Sequence, residues 1–153
     1  MLLIIKVITK TNSIMKIIKI ALTQIGVKEI KGRQDNPAVL KYFDEIGFTG
    51  SQLKDETAWC SAFANWVCKK AGLPYTGKLN ARSWLKMGQQ VYNPKLGDIV
   101  VFWRNDPNSW QGHVAFFVRE TRNWVYVLGG NQNNQVKISA YPKNRLLQYR
   151  RLT

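Results

Sequence analysis

The sequence contains few of the residues from which several kinds of site are built. Its 153 residues include two cysteines, one histidine and nine acidic side chains. Two cysteines cannot form a disulfide framework, and with one histidine they fall short of the four ligands of a structural zinc site. No metal ion is therefore expected. The sequence also lacks internal repeats, low-complexity segments and linkers, and its length predicts one domain with a real hydrophobic core.

Long apolar runs are absent as well. The N-terminal segment MLLIIKVITKTNSIMKIIKIAL is apolar, but four lysines interrupt it. No run approaches the roughly 20 residues that span a bilayer, so no membrane span is expected. The segment has no A-x-A-like cleavage site after a clean apolar core, which makes it a poor signal peptide. Met15 is an alternative start, so residues 1–14 are treated as an extension of uncertain status and residues 15–153 as the domain.

Charge of one sign dominates the composition. Lysine and arginine number 23 against nine acidic residues, which gives a formal net charge of +14. Such an excess is typical of proteins with an anionic partner, either nucleic acid, a membrane surface or an acidic polymer. Solubility alone is the plain alternative.

Periodicity divides the chain into a helical first part and a second part made of strands. Helical spacing, capping residues and terminal glycines predict helices at 15–25, from 37 to about 46, at 58–71 with Thr57 as N-cap, and at 80–88. Alternating and apolar runs predict strands at 98–103, 113–118, 124–129, 136–140 and 146–151. Strands this close together cannot be joined by helical crossovers. The predicted fold is α+β, with N-terminal helices packed on an antiparallel sheet of about five strands.

The two cysteines differ in position within the helix predicted at 58–71. They are eight residues apart, roughly 12 Å along a helix axis, whereas a disulfide needs Cα atoms within about 7 Å. Cys68 lies deep in the helix among apolar residues, where packing is its expected role. Cys60 lies in the first turn, where free backbone N–H groups and the positive end of the helix dipole favour a thiolate.

A thiol nucleophile needs a base, and the base needs an orienting group. His113, the only histidine, follows a glycine at the start of a predicted strand and is expected at the rim of the sheet. Asn131 follows the next strand, and antiparallel pairing brings it to the edge that carries His113. Cys60, His113 and Asn131 are therefore the candidate catalytic residues, and Gln132 and Asn133 in the same loop are the alternative orienting residues.

Four motifs in this order resemble the CHAP and NlpC/P60 superfamily of papain-like cysteine hydrolases. They are ETAWCSAFANWVCKKAGL, LGDIVVFW, GHVAFFV and LGGNQ, and they are most similar to a small phage-associated branch. The resemblance covers nearly the whole chain from Ile17. It implies a papain-like fold, Cys60 as nucleophile, His113 as general base, Asn131 as orienting residue, and no cofactor.

The chain also departs from the family pattern. Trp59 stands where many NlpC/P60 members have Asp, Gly129 stands where CHAP members often have Glu, and calcium-binding aspartates have no clear counterpart. The substrate-binding mode is therefore not inherited. Candidate substrate contacts are Glu56, Trp59, Ser61 and Trp84. For Glu56 the alternative is a favourable charge at the helix start, and for the two tryptophans it is core packing.

The resemblance implies a hydrolase that cleaves an amide bond of peptidoglycan, in the stem peptide or at its junction with the sugar. Its expected place of action is the periplasm or cell wall, by an export route left open. The basic surface would bind anionic wall polymers, and we expect a monomer with no nucleic-acid partner. The alternatives are a basic nucleic-acid-binding domain and a non-catalytic wall-binding domain. Amidase and endopeptidase both remain open, as does the biological setting.

Overall fold

A computed structural model describes residues 1–32, 34–53 and 58–153, with the side chains of 6–11 left aside. The described residues form four α-helices, namely α1 (Leu2–Leu22), α2 (Pro37–Asp44), α3 (Gly50–Leu53) and α4 (Cys60–Lys70). Two 3-10 helices span Ala81–Lys86 and Lys143–Arg145. The strands are β1 (Gln89–Val91), β2 (Ile99–Trp103), β3 (Gly112–Glu120), β4 (Trp124–Gln132), β5 (Gln135–Pro142) and β6 (Leu146–Arg151).

The strands form one antiparallel sheet in the order β1-β6-β2-β3-β4-β5. The α+β class and its antiparallel sheet are confirmed, and all five predicted strands are present. The sixth strand, β1, was not predicted. It has only three residues, none of them buried, so it carries little alternation. It forms because its backbone pairs with the outer side of β6.

The start of α2 agrees with the sequence, its end at Asp44 comes about two residues earlier than predicted, and the other three helices also differ from their predicted bounds. Asn36 caps α2 as predicted, because its side-chain oxygen accepts the N–H of Ala38 at 2.9 Å. Helix α4 begins later than predicted, with Trp59 at the N-cap position. The predicted cap, Thr57, lies outside the described residues. The predicted fourth helix is a 3-10 helix over Ala81–Lys86, and the first runs from Leu2 to Leu22 rather than from Met15 to Ile25.

Helix α1 packs on the domain through residues near its C-terminal end. Ile17, Ile18 and Ala21 are buried, whereas the first five residues are exposed. Among the residues described, no helix is both long and apolar enough to cross a membrane. The division of the chain at residue 14 stays a prediction.

The sheet has an apolar cluster on each face, because neighbouring residues of a strand point to opposite sides. On one face Val101, Val114 and Phe116 pack against the helices. On the other, Phe102 and Ala115 belong to a smaller cluster, with Phe117, Val125, Val127 and Tyr149. Because of this alternation, His113 and Ala115, the two neighbours of Val114, belong to the second face.

Gly130 lets α4 approach β4 closely. A Cβ atom at Gly130 would lie 2.7 Å from the Cβ of Phe63 and 2.7 Å from the Trp59 ring. Trp59 is fully buried, stacks on Tyr42 and donates its indole N–H to Glu29 at 2.9 Å. The start of α4 is therefore held both by the sheet, through Gly130, and by the segments before α4, through Glu29 and Tyr42.

The chain after α1 is joined to the hairpin between β4 and β5. Gly26 donates its backbone N–H to Val136, and Val136 donates its own to Val27. Lys28 forms an isolated antiparallel bridge with Gln135. These bonds connect residues 26–28 to the strand that follows Gln132.

Candidate active site

Cys60 is the first residue of α4 and is 5% exposed. Burial by itself raises the pKa of its thiol. A hydrogen bond and positive charge from His113, together with the backbone N–H groups of Val114 and Ser61, outweigh burial and hold the pKa of Cys60 below its usual range. The structure therefore pairs the helix N-terminus with an imidazole, the two features that activate a cysteine.

Cys68 has none of these partners. It is free, fully buried in α4, and its pKa is raised well above the usual range by burial alone. One helix thus carries one activated and one inert thiol. This supports the packing role that the sequence predicts for Cys68.

His113 is buried rather than exposed at the rim of the sheet, contrary to the expectation from its place at the start of β3. It is 5% exposed and lies directly opposite Phe102 on β2. The ring of Tyr141 from β5 stacks on the imidazole, with centroids 5.0 Å apart, and also on Phe102 at 4.8 Å. Aromatic neighbours from two strands therefore limit the rotation of the imidazole.

Gln132 is the hydrogen-bond partner of the imidazole. Its Oε1 lies 2.9 Å from His113 Nε2, and its side chain is 1% exposed. The amide nitrogen donates to the carbonyls of Lys137 at 2.6 Å and Val127 at 3.3 Å. Because these two acceptors fix the amide orientation, Oε1 must accept from the ring, and Nε2 carries the proton. Nδ1 is left as the basic nitrogen toward Cys60.

Asn131, the expected orienting residue, does not make this bond in the structure. It has a positive φ of 54° in an irregularity of β4 that shifts the register between Gly129 and Gln132. In this arrangement the next residue bonds to the ring, and Asn131 lines the pocket beside it. The sequence signal was present, since Gln132 belongs to the same GGNQ motif, but spacing alone could not distinguish the two neighbours.

An open pocket lies next to His113, with a volume of about 280 Å³. His113, Tyr141 and Asn131 form the wall nearest the imidazole. Trp103, Arg104 and Arg145 also line the pocket, as do Phe102 and Asn134. A substrate group can therefore lie against the buried imidazole without displacing core residues.

A buried cysteine at a helix start, bonded to an imidazole that a third side chain orients, is the arrangement of a cysteine hydrolase. The CHAP domain family matches residues 52–131, more than half of the chain, and the matched range includes Cys60 and His113. The chain belongs to the CHAP family. This is a family of peptidoglycan hydrolases. Comparison with curated proteins gives no match.

Among solved structures, the CHAP chain is similar to one described as similar to lipoprotein, NLP/P60 family, from Staphylococcus aureus subsp. aureus Mu50. The match has a TM-score of 0.53 and 20% sequence identity. It covers 92% of this chain but only 41% of the other. At this identity the likeness concerns the fold, and it agrees with the expected NlpC/P60-type architecture.

Three of the four residues expected to contact substrate in this CHAP domain are instead buried. Trp59, Ser61 and Trp84 are each 0% exposed. The Ser61 hydroxyl donates to the Lys78 carbonyl and accepts the indole N–H of Trp84. Ser61 and Trp84 therefore hold α4 against the following segment, whereas Trp59 contacts Glu29 and Tyr42, which precede α4. Glu56 lies outside the described residues.

The part of the CHAP domain that the structure describes contains no cluster of potential metal ligands. Within residues 1–32, 34–53 and 58–153, no group of three or more His, Cys, Asp or Glu side chains could hold an ion. Asp98, before β2, instead accepts the Lys95 backbone N–H and pairs with Arg151 at 2.7 Å.

Proposed function

We propose that the protein is a cysteine hydrolase that cleaves an amide bond of peptidoglycan, in the stem peptide or at its junction with the sugar. The observation that carries this proposal is the connected set Cys60–His113–Gln132 in a CHAP domain. Cys60 is the nucleophile, His113 is the general base and acid, and Gln132 positions the imidazole.

The chemistry proceeds in two steps. The Cys60 thiolate attacks the amide carbonyl, and the protonated His113 gives its proton to the leaving amine as the C–N bond breaks. Water, deprotonated by His113, then attacks the thioester, the C–S bond breaks with release of the acid, and the thiolate–imidazolium pair is regenerated. Throughout, Nε2–H of the ring stays bonded to Gln132 Oε1, so Nδ1 alone exchanges the proton.

Backbone groups at the start of α4 suit the negative charge that develops on the carbonyl oxygen. The first N–H groups of a helix have no intrahelical acceptor, and the helix dipole is positive there. Since Cys60 is the first helical residue, its own N–H lies next to the attacked carbon. We assign this N–H to the oxyanion hole.

The basic surface would hold the enzyme on anionic wall polymers. A net charge of +14 raises the local concentration of such a substrate without taking part in bond cleavage. The nucleic-acid alternative needs aromatic side chains at the surface for stacking. Trp59, Trp66 and Trp84 are buried in the core, whereas Tyr92, Trp110 and Trp124 are exposed. Nucleic-acid binding, however, gives no reason for the Cys60–His113 pair.

Digestion of purified cell walls, followed by mass spectrometry of the soluble fragments, tests the proposal and identifies the bond. Wild-type protein should release new amine and carboxyl ends, and Cys60→Ala should release none while keeping its circular dichroism spectrum. Cys68→Ala is the matched control, because it removes a thiol from the same helix and should cost only packing. Undiminished release by Cys60→Ala, or none by the wild type, would refute the function.

A further inference from the structure

The pocket beside His113 contains two arginines that the mechanism does not use. Arg104 follows β2, and Arg145 ends the 3-10 helix before β6. Both are exposed and both line the pocket, and among the residues that the structure describes no acidic side chain lines it. Neither guanidinium forms an ion pair within the described part of the chain. Two cations that have no acidic partner in the described parts of the chain, at the edge of the pocket, favour an anionic occupant.

Arg145 is held in place by its neighbours. Its guanidinium lies over the ring of Trp103, 5.4 Å from the centroid. The indole N–H of Trp103 donates to the carbonyl of Asn144 at 3.2 Å, which ties the 3-10 helix to the end of β2. A cation–π contact of this kind restricts the guanidinium without using its N–H donors, which leaves them available to an anion.

Tyr141 connects the two arginines to the catalytic centre. Burial raises its pKa to about 12, the nearby Cys60 acts in the same direction, and both Arg104 and Arg145 act in the opposite direction. The nucleophile and the two guanidinium groups therefore all lie within electrostatic reach of one phenol. Its ring also stacks on His113.

The pocket lies on the side of the leaving group. His113 must reach the leaving nitrogen to protonate it, so the departing half of the substrate lies against the imidazole. His113 lines the pocket, whereas Cys60, which holds the acyl half, does not. The occupant therefore belongs to the half that departs as the amine.

We propose that Arg104 and Arg145 bind a carboxylate on the leaving-group side of the scissile bond and so make the enzyme selective for stem peptides with a free carboxylate there. This inference rests on the proposed function for the side of the bond. The anion pocket itself rests on the two arginines and their position.

Paired substrates test the selectivity. Two synthetic stem peptides would contain the cleaved bond, with the leaving-group carboxylate either free or converted to a carboxamide. Wild type should prefer the free carboxylate by about tenfold in kcat/KM, mostly through KM, because charge-assisted hydrogen bonds are about twice as strong as neutral ones. Arg104→Gln and Arg145→Gln should each bring this ratio close to one.

Arg122→Gln is the matched control. Arg122 is exposed and follows β3, at the end opposite His113. The Arg122→Gln variant loses the same charge as the two pocket variants, but it should keep the tenfold preference for the free carboxylate. Equal rates of wild type on both substrates would overturn the inference and leave the hydrolase function standing. The same loss in Arg122→Gln would overturn it in favour of general charge attraction.

A binding measurement separates the inference from catalysis. Calorimetric titration of Cys60→Ala protein with the stem pentapeptide and its fully amidated form should show tighter binding of the free acid, and Arg145→Gln should abolish the difference. If wild type cleaves no peptide, the proposed function fails, and this titration still decides whether the pocket takes a carboxylate. Equal binding of the two forms would refute the pocket.

Discussion

Replacing Gln132 by alanine should reduce stability and activity for different reasons. The side chain is 1% exposed and donates to the carbonyls of Lys137 and Val127, the first bond being the shorter. A buried polar group left unpaired costs about 1–3 kcal/mol, so the free energy of unfolding should fall by roughly 2–4 kcal/mol. At about 2–4 °C per kcal/mol for a chain of this size, the melting temperature should drop by roughly 5–15 °C.

The activity loss has its own cause. Without Gln132 Oε1, nothing selects the Nε2–H form of His113 or holds the ring toward Cys60. Misplacement of a catalytic group by about 1 Å can cost on the order of 100-fold, and we expect a fall in kcat of this size. Gln132→Glu should separate the two effects. A carboxylate still accepts Nε2–H, but it donates to neither carbonyl, so this variant should be at least as unstable as Gln132→Ala and yet more active.

The assay is kcat on a soluble stem-peptide substrate, measured well below each melting temperature and compared with the rate of Cys60 alkylation. Alkylation should slow in Gln132→Ala, because a misplaced imidazole stabilises the thiolate less. Asn131→Ala is the matched variant one residue earlier and should retain most activity. If Gln132→Ala were folded and fully active while Asn131→Ala lost activity, Asn131 would be the orienting residue and the argument from geometry would be wrong.

Three further predictions concern reactivity, packing and charge. The pKa of Cys60 is lowered and that of Cys68 is raised, so iodoacetamide should label Cys60 at pH values below the ordinary thiol pKa of about 8.5. This labelling should fade only as the pH falls through the lowered pKa. Peptide mapping identifies the labelled cysteine, and labelling of Cys68 before Cys60 would contradict the assignment. Gly130→Ala should cost about 1–3 kcal/mol by overpacking against α4 and should lower both melting temperature and activity, whereas an unchanged melting temperature would show that the contact can relax. Binding to walls should weaken between about 0.1 and 1 M salt, as the Debye length falls from about 10 to 3 Å, while turnover of a small stem peptide changes far less; equal losses in both assays would place the effect within the site.

The sequence pattern was sufficient to predict those features of the structure that depend on residues close together in the chain. Asn36 before Pro37 predicts the start of α2, and the alternating runs after Asp98 predict every strand that has buried residues. The contrast between Cys60 and Cys68 also follows from position within one helix. These features depend on neighbours a few residues away, which a sequence displays directly.

Features that depend on the packing of distant segments were predicted less well. The irregularity in β4 turns Gln132, rather than Asn131, toward His113, and no spacing rule identifies a register shift of this kind. Trp59 and Trp84 flank the site in sequence but are buried by contacts with Glu29 and Ser61. Their neighbours come from other parts of the chain, so sequence position could not separate a groove from a core.

The bonds between residues 26–28 and the β4–β5 hairpin bear on when the candidate site is assembled during folding. Val27 and Val136 pair although they are more than one hundred residues apart, and Gln132 lies just before this pairing. During synthesis Cys60 emerges well before β3 and β4, the strands that carry His113 and Gln132. In a nascent or unfolded chain the Cys60 thiol lacks its partner His113, so the lowered pKa of Cys60 requires the folded domain.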